Sequence, residues 1–512
     1  MSTLLTSAWT LALAYVCDFT ALTPPAMEDI VTRTEIGGNA GRRAYKQELH
    51  RSLGLWENIS LVVSAVTPAT GAFIIAPVLF TLTGTGAPLT FVIAAVMGLA
   101  LAFCWAELGC AYPIAGGDYT FVARILGRPA GFVSLILSGP VQAVLIPAVV
   151  ALGIGQYVGV ILNVNTNILA AVIILLGAAV AILGVRLSAI AVGVLLAIEL
   201  LAVVFVGVLG LFHVQRPIST LFQPLITDSD GATHSLTMGA LVAGIAVASF
   251  AYNGFQGALL YSEETTGSRR NVARSVFIAL GVAVACEVLP VSMAILSSPS
   301  LADLSASPNA WQYFLTSIGG DAFNTIISLG IAIAVLNAVV ALMPFFARIL
   351  YSSGRDMAWP APMSKALASV HPRWGTPWIS TIVVGAAGAV LVLFTDVATL
   401  STCVGAVLCV EFILVAASAI LSRLKDKSMD RPYRMPLWPA APIVAIVMSV
   451  VVLTQQTSSD LLVAGGIVVV SLAYYLVYLR PRRHTHMLML DPVRPVEAIS
   501  QRRHPAGADV NE

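Results

Sequence analysis

Two apolar stretches of the chain are interrupted near their middles by residues that end a helix. The first interruption runs from Thr67 to Gly71 around Pro68, and the second runs from Phe250 to Gln256 around Gly254. Proline removes a backbone donor, and glycine relaxes the backbone. A broken helix leaves N–H and C=O groups that can bind a small polar solute. The candidate substrate-binding residues are Thr67, Ala69, Thr70, Gly71, Phe250, Ala251, Tyr252, Asn253, Gly254 and Gln256.

The two breaks together predict a site for an α-amino acid. A half-helix that starts after Gly71 would present free N–H groups and a positive dipole end to a carboxylate. Carbonyls freed between Phe250 and Asn253 would accept from an ammonium group, and Phe73 and Tyr252 would help to wall an apolar pocket. The alternative for either break is ordinary packing of Gly and Pro between membrane helices. Their pairing, five helices apart, favours the substrate site of an inverted-repeat transporter.

Four acidic residues lie within or near the ends of apolar stretches, where a charge is costly and marks a candidate functional site. Glu199 is in the middle of its stretch and could exchange a proton near neutral pH, or could remain a neutral group bonded to a neighbouring helix. Glu107 is expected to act as a gate or to pair with a loop arginine. For Glu287 and Glu411 we expect a structural role or a position at the lipid edge, because no motif surrounds them.

The composition requires a bilayer around the elements that position these residues. The chain has 512 residues, of which 58% are hydrophobic and 10% charged, and its mean hydropathy is +0.89. Soluble domains are about 45–50% apolar and about 25% charged. The net charge of +1 gives no sign of a nucleic-acid partner, and none of the six cysteines forms a CxxC pair. We expect no cofactor, no metal site and no disulfide.

Twelve apolar stretches predict an all-α integral membrane protein. They lie near 58–82, 88–112, 130–160, 167–184, 187–212, 238–262, 274–297, 321–350, 377–395, 398–422, 439–455 and 461–480. If the N-terminus is cytoplasmic, all of the 27 basic residues except Arg216 fall in cytoplasmic segments. The positive-inside rule therefore supports twelve spans, cytoplasmic N- and C-termini, and the cytoplasmic membrane as the location.

The stretches divide the chain into an extension, a transporter domain and a tail. We expect residues 1–52 to be a cytoplasmic extension, 53–480 to be the domain and 481–512 to be a cytoplasmic tail. Within the domain, the expected repeats cover about 53–212 and 238–422, and two peripheral helices cover 439–480. Residues 1–26 lack a basic start and contain Asp18, which argues against a cleaved signal peptide. The hypothesis is that Met27 is the true start, or that 1–26 form a disordered extension.

Four segments resemble the amino acid–polyamine–organocation superfamily. They are SFAYNGFQGALLYSEETTGSRRNVAR from Ser249, RILYSSGRDMAWPAPMSKALASVHPRWGTP from Arg348, PIAGGDYTFVARILG from Pro113 and RPYRMPLWP from Arg431. The resemblance runs from about Leu53 to Leu479. It implies a LeuT-like arrangement, with helices 1–5 and 6–10 as inverted repeats and two peripheral helices.

The chain departs from the family's pattern at both breaks. The family's GSGIF motif appears here as the segment from Ala69 to Phe73, and Gln256 stands where many members carry a glutamate. Glutamine does not titrate, so a proton-sensing role at that position is removed. The eighth helix of sodium-coupled relatives offers hydroxyl ligands, but 329–350 contains no Ser or Thr. We therefore expect proton coupling or exchange, with Glu199, Glu107 and Asn337 as coupling or gating candidates.

Other classes of function are less compatible with the sequence. An enzyme would need a nucleophile–base pair or metal ligands, and neither HExxH nor GxSxG occurs. A channel usually takes its filter from several subunits, whereas paired breaks suit alternating access in one chain. The prediction is a permease for amino acids, neutral ones first. The alternatives are a transporter of polyamines or other small amines, and a substrate sensor that does not transport.

Overall fold

The computed structural model describes residues 54–487, apart from 113–115, 159–163, 184, 228–232, 261–269 and 308. The predicted extension 1–52 and residues 488–512 of the predicted tail lie outside the described residues. The expectation about Met27 lies outside them too.

The described residues of the first half of the chain form nine α-helices. They are α1 Leu55–Val66, α2 Pro68–Thr70, α3 Ala76–Thr83, α4 Ala87–Ala111, α5 Asp118–Ile125, α6 Arg128–Ile136, α7 Gln142–Val158, α8 Thr166–Ile182 and α9 Val185–Leu211. A π-helical turn, Gly71–Ile75, joins α2 to α3, and another, Leu137–Val141, joins α6 to α7. A 3₁₀ turn, Gly84–Gly86, leads from α3 into α4.

Those of the second half, up to Met487, also form nine α-helices. They are α10 Met238–Ala251, α11 Arg270–Ser297, α12 Leu301–Ala306, α13 Ala310–Arg355, α14 Ala361–Leu367, α15 Trp378–Leu391, α16 Val397–Lys425, α17 Ala440–Thr454 and α18 Ser458–Tyr474. A 3₁₀ turn, Phe255–Leu259, continues α10, and a π-helical turn, Tyr475–Leu479, ends α18. The long helix α13 is kinked at Gly320, whose φ is 76°.

These helices confirm the all-α membrane fold. Among the described residues, 8 helices are long and apolar enough to cross a membrane, and three shorter ones, α8, α15 and α17, are apolar too. The first of the 8, Leu55–Ala111, contains two of the predicted spans on either side of the turn at Gly84. Each of the twelve predicted stretches is therefore helical. Large apolar side chains such as Leu176, Leu201 and Val470 are exposed, as lipid-facing side chains must be.

A two-stranded antiparallel sheet between α9 and α10 was not predicted. Strand β1, Leu225–Thr227, pairs with β2, Thr233–Ser235. The strands lie over the α3–α4 turn, because a Cβ on Gly84 would approach the carbonyl oxygen of Leu225. The Thr85 hydroxyl also accepts a hydrogen bond from the backbone N–H of Leu225 at 2.8 Å. Strands of three residues carry too short an alternating pattern to be recognised in the sequence.

Candidate functional site

The first break lies between α1 and α2 and is made by Thr67 and Pro68. Thr67 takes the left-handed conformation with a φ of 54°, and its N–H closes α1 on the carbonyl of Val63 at 3.0 Å. Helix α2 then begins at Pro68, because proline has no N–H to satisfy at a first helical position. The prediction that the half-helix restarts after Gly71 is therefore wrong. The helix restarts at Pro68, three residues before Gly71.

The first N–H groups of α2 are all engaged within the described structure. The N–H of Ala69 donates to Oε1 of Glu199 at 2.9 Å. The N–H groups of Thr70 and Gly71 reach the Thr67 carbonyl at 2.9 and 3.4 Å. The predicted free N–H groups for a substrate carboxylate are therefore absent from this turn. A carboxylate of the protein itself takes the position at Ala69.

Glu199 ties three helices together at this break. Its carboxyl is fully buried, and its second oxygen accepts a hydrogen bond from Nδ2 of Asn337 at 2.8 Å. The group therefore joins α9, α13 and the start of α2. Each of its two oxygens therefore accepts one hydrogen bond in the interior of the bundle. The sequence identified both residues as coupling candidates, but gave no sign that they contact each other or the break.

Glu287 lies on the other side of the same break. Its carboxyl group packs directly against the Cα of Gly71, in the space that a Cβ on that residue would occupy. The side chain is fully buried, and neither oxygen has a hydrogen-bond partner among the described residues. A position at the lipid edge is therefore wrong for Glu287. Only its mid-span location marked it in the sequence, because the approach to Gly71 is a contact between distant helices.

The second break, at the end of α10, touches the first one. Gly254 has a φ of 123°, and a Cβ there would lie 2.7 Å from the carbonyl oxygen of Ala65. Only glycine fits such a position without strain. The Phe250 carbonyl accepts from the N–H of Asn253 at 2.9 Å, so the prediction that it is free is wrong. Within the described residues, no backbone donor reaches the carbonyls of Ala251 or Asn253.

Gln256 stabilises the second break. Its Oε1 accepts a hydrogen bond from the N–H of Gly254 at 2.9 Å. Its Nε2 donates to Oδ1 of Asn253 at 2.7 Å. Because the amide supplies both a donor and an acceptor, it fixes the unwound backbone without a charge.

A narrow cavity of about 10 Å³ lies between the two breaks. That is room for about one water molecule. Six of the predicted binding residues line it: Thr67, Thr70, Phe250, Ala251, Asn253 and Gly254. The other lining residues are Ala65, Val66, Ile75, Ile146, Val150, Leu342, Phe345 and Phe346. These were missed because their apolar side chains carry no polar or charged group that distinguishes them from the rest of an apolar stretch.

Four of the predicted binding residues do not line this cavity. Ala69 and Gly71 face Glu199 and Glu287, and Gln256 supports the backbone. Tyr252 points away, and its hydroxyl donates to the carbonyl of Phe91 at 3.0 Å. The expectation that Phe73 and Tyr252 wall the pocket is wrong.

The polar groups in the cavity wall are few. All of the lining side chains are uncharged. The hydroxyl of Thr70 is buried and has no hydrogen-bond partner among the described residues. A ligand in the cavity would therefore meet the hydroxyls of Thr67 and Thr70, the Asn253 amide, the carbonyls of the second break and an otherwise apolar surface.

A buried ion-pair cluster closes one end of the bundle, which we call the basic end. It is formed by Glu107, Arg423 and Arg431. The guanidinium of Arg423 donates to both oxygens of Glu107, at 2.7 and 2.5 Å, and Arg431 donates at 3.2 Å. The N–H of Met435 adds a fourth donor at 2.7 Å. The cluster joins α4 to the end of α16 and the loop that follows it.

A second contact at the basic end involves the segment after α13. The Tyr119 hydroxyl donates to Asp356 at 2.6 Å, and Arg355 pairs with the same carboxyl group at 3.1 Å. Burial raises the pKa of Asp356, and the charge of Arg355 partly offsets that effect. Together with the ion-pair cluster, this contact holds the basic end shut.

The sequence of the chain matches known transporters over most of its length. A family model described as amino acid permease matches residues 53–478. A methylthioribose transporter of Bacillus subtilis (strain 168) is 26% identical over 425 residues, which cover 78% of this chain and 87% of the relative. A branched-chain amino acid permease of the same organism is 23% identical over 470 residues, covering 86% and 95%. Human cationic amino acid transporter 4 is 27% identical over 375 residues, covering 67% and 55%.

Proposed function

Because the chain belongs to the amino acid permease family, we propose that it is a secondary transporter that carries amino acids across the cytoplasmic membrane by alternating access. The observation that carries this proposal is the contact between the two helix breaks around one cavity. Unwound backbone at membrane depth occurs where it lines a binding site. The basic end faces the cytoplasm in this proposal, in accord with the distribution of arginine and lysine.

The size of the cavity supports a conformational cycle. A volume of about 10 Å³ is too small for any amino acid, so the helices around the breaks must separate before a substrate enters. Thr67 and Thr70 on one side, and Asn253 on the other, would then bind its polar groups. Rocking of one half of the bundle against the other would open the site to each face in turn.

Glu199 is the proposed coupling group, with Asn337 as its partner. The carboxyl group supports the start of α2 at Ala69, so a change in its protonation would alter the hydrogen bonding of the break itself. In this proposal a proton moves with the substrate or is exchanged against it. Glu107 acts as a gate through its ion pairs at the basic end.

A small amine is the second candidate substrate, and a specific observation favours it. The N–H of Ala69 is already occupied by the Glu199 carboxyl group, and the next two N–H groups are closed on Thr67. The break therefore offers no ready backbone N–H to a substrate carboxylate, whereas carbonyl acceptors remain at the second break. The ammonium group of an amine only donates hydrogen bonds, so an amine could bind through these carbonyl acceptors alone.

The two substrates can be separated with matched pairs that differ only in the carboxylate. The full chain in proteoliposomes would be tested for uptake of L-leucine against isoamylamine, and of L-phenylalanine against phenethylamine. Saturable uptake that is stimulated by counter-substrate is expected for one member of a pair. Preference for the amine would reject amino acid transport, and binding without uptake would indicate a sensor. Uptake that follows a sodium gradient at fixed pH would contradict proton coupling.

A further inference from the structure

Two carboxyl groups outside the cavity contact each other inside the bundle. Asp118 in the first turn of α5 and Glu411 in the middle of α16 are both buried, and their carboxyl groups lie within hydrogen-bonding reach of each other. An ionised carboxylate can only accept hydrogen bonds. Two carboxyl groups can therefore bond to each other only when one of them carries a proton. A single shared proton would therefore join the Asp118 and Glu411 carboxyl groups.

The recorded partners of this pair donate hydrogen bonds, and none of those among the described residues is a cation. Trp105 donates its Nε1–H to Asp118 at 2.9 Å. Ser134 donates to Oε1 of Glu411 at 3.4 Å, and Gln142 donates to Oε2 at 2.7 Å. Burial raises the pKa of Asp118, as expected for an acid with no cationic partner among its recorded contacts.

The other ionisable groups on the helices packed against the pair are engaged elsewhere. Helices α10 and α17 contain none. The remaining groups with recorded partners are Glu107 of α4, bonded to Arg423 at the end of α16; Cys104 of α4, bonded to Ala100; Tyr119 of α5, bonded to Asp356; Arg128 of α6, bonded to Arg483; Tyr157 of α7, bonded to Phe73; Asp460 of α18, bonded to Thr457; Tyr474 of α18, bonded to Ala358; and Lys425 at the end of α16, bonded to Ile125. Arg124 of α5 and Cys110 of α4 are engaged as well. On α16 itself, Cys403 and Cys409 are buried thiols.

A chain of side-chain amides connects the pair to the second break. Oε1 of Gln142 accepts from Nδ2 of Asn253 at 3.3 Å, while Nε2 of the same amide donates to Glu411. Asn253 in turn accepts from Gln256, which holds the N–H of Gly254. Each amide has one donor end and one acceptor end. A change in what Glu411 accepts therefore reverses or breaks the bond that Gln142 makes to Asn253.

We propose that Asp118 and Glu411 form a proton-binding site, and that Gln142 and Asn253 transmit its occupancy to the break in α10. When the proton leaves, two carboxylates face each other at hydrogen-bonding distance and must separate. The Glu411 carboxylate then accepts hydrogen bonds from every nearby donor. This holds the Gln142 amide with its Nε2 directed at Glu411. When the proton returns, Glu411 no longer needs the hydrogen bond from Gln142. Gln142 can then turn away, and Asn253 becomes free to bond within the cavity. The link to substrate rests on the proposed transport function, but the proton site does not.

The first experiment observes the proton directly, with no substrate. Infrared difference spectra of the purified full chain would be recorded across a pH titration. The expected result is a protonated carboxyl band that titrates in the unchanged protein and is lost or moved in Glu411→Gln and Asp118→Asn. Asp460→Asn, which removes another buried carboxyl group, serves as the control and should leave the band unchanged. A band that titrates identically in all four proteins would overturn the proton site.

The second experiment tests the link to the break. Hydrogen exchange of the segment 250–257 would be compared at two pH values on either side of the infrared transition, after correction for intrinsic exchange rates. The unchanged protein should show a pH-dependent difference in protection, and Glu411→Gln and Gln142→Met should not. Gln142→Met should keep the infrared band. A pH-dependent difference that survives in Gln142→Met would overturn the link, even if transport has been demonstrated separately.

Discussion

At the scale of single residues, Glu199 has two roles that ordinary substitutions would confuse. It supports the start of α2 through Ala69, and it is the candidate coupling group. Its partner Asn337 has an Oδ1 with no hydrogen-bond partner among the described residues. A glutamine at position 199 can therefore accept from Ala69 and donate to that oxygen after the Asn337 amide turns over. The structural role can be preserved while the charge is removed.

Glu199→Gln should remain close to the unchanged protein in thermal stability, whereas Glu199→Ala should not. The alanine variant leaves the Ala69 N–H and the Asn337 amide without an acceptor, and each unsatisfied buried group costs about 1–3 kcal/mol. The melting temperature in detergent is the measurement. If the glutamine variant unfolds as early as the alanine variant, the charge itself holds the break together. Loss of pH-dependent uptake in the stable glutamine variant would support the coupling role.

The same scale shows where the sequence was informative. Pro68, Gly254 and the acid at position 199 could be found because proline, glycine and a charge are conspicuous in an apolar run. The site of restart could not be found, because it depends on the left-handed conformation of Thr67. The engagement of the Ala69 N–H also escaped prediction, since its acceptor lies 130 positions away along the chain.

At the scale of elements, the helix ends away from the breaks follow local rules. Asp396 precedes α16, and its carboxylate accepts from the N–H of Thr399 at 3.0 Å and from the Thr399 hydroxyl at 2.8 Å. The hydrogen bond from the Thr399 backbone holds the pKa of Asp396 below its ordinary value of 3.8. A carboxyl group whose pKa is lowered by folding stabilises the folded state at pH values above the ordinary pKa of that group. That contribution is lost as the pH falls through the lowered value.

Asp396→Ala should therefore lower the melting temperature at neutral pH, with a cost of about 1 kcal/mol for a lost helix cap. The difference from the unchanged protein should begin to shrink below pH 3.8, the ordinary pKa of an aspartate. It should vanish once the pH has fallen through the lowered pKa of Asp396 in the folded state. Asp396→Asn is the matched control, because it keeps an oxygen acceptor without a charge and should show a smaller, pH-independent change. A difference for the alanine variant that persists at low pH would assign the effect to packing.

The element scale also separates what periodicity can reveal from what it cannot. Each predicted apolar stretch is helical over most of its described residues. These stretches could be found because hydropathy follows directly from the composition of a segment. The hairpin of β1 and β2 and the π-helical turn at Gly71–Ile75 were not predicted. That turn depends on remote partners: Trp311 donates to the carbonyl of Ala72 at 2.8 Å. Such contacts join positions that no local pattern relates.

At the scale of the whole molecule, the basic end is closed by contacts that an alternating-access cycle must break. The carboxyl group of Glu107 is buried and pairs with two arginines. Removing one partner of a buried ion pair leaves an uncompensated charge and typically costs about 3–5 kcal/mol. The cluster therefore opposes opening at that end, whichever solute is carried.

Glu107→Gln should open the basic end more often. The native thiol of Cys110, which is buried three residues further along the chain near the end of α4, reports on this motion. Its rate of modification by a maleimide, followed by mass spectrometry, should rise several-fold in the variant. Asp321→Asn, a change at an exposed carboxyl group, should leave the rate unaltered. An unaltered rate in Glu107→Gln would show that Tyr119 and Asp356 alone control this end.

The contact of Gly254 with the carbonyl of Ala65 has a consequence for altering the cargo of this transporter by laboratory evolution. The two breaks are in direct contact. A substitution in either segment therefore changes the effect of substitutions in the other. Mutations near Ala65 and near Gly254 are expected to be strongly non-additive. Libraries that randomise both segments together will therefore find combinations that successive single-site rounds discard.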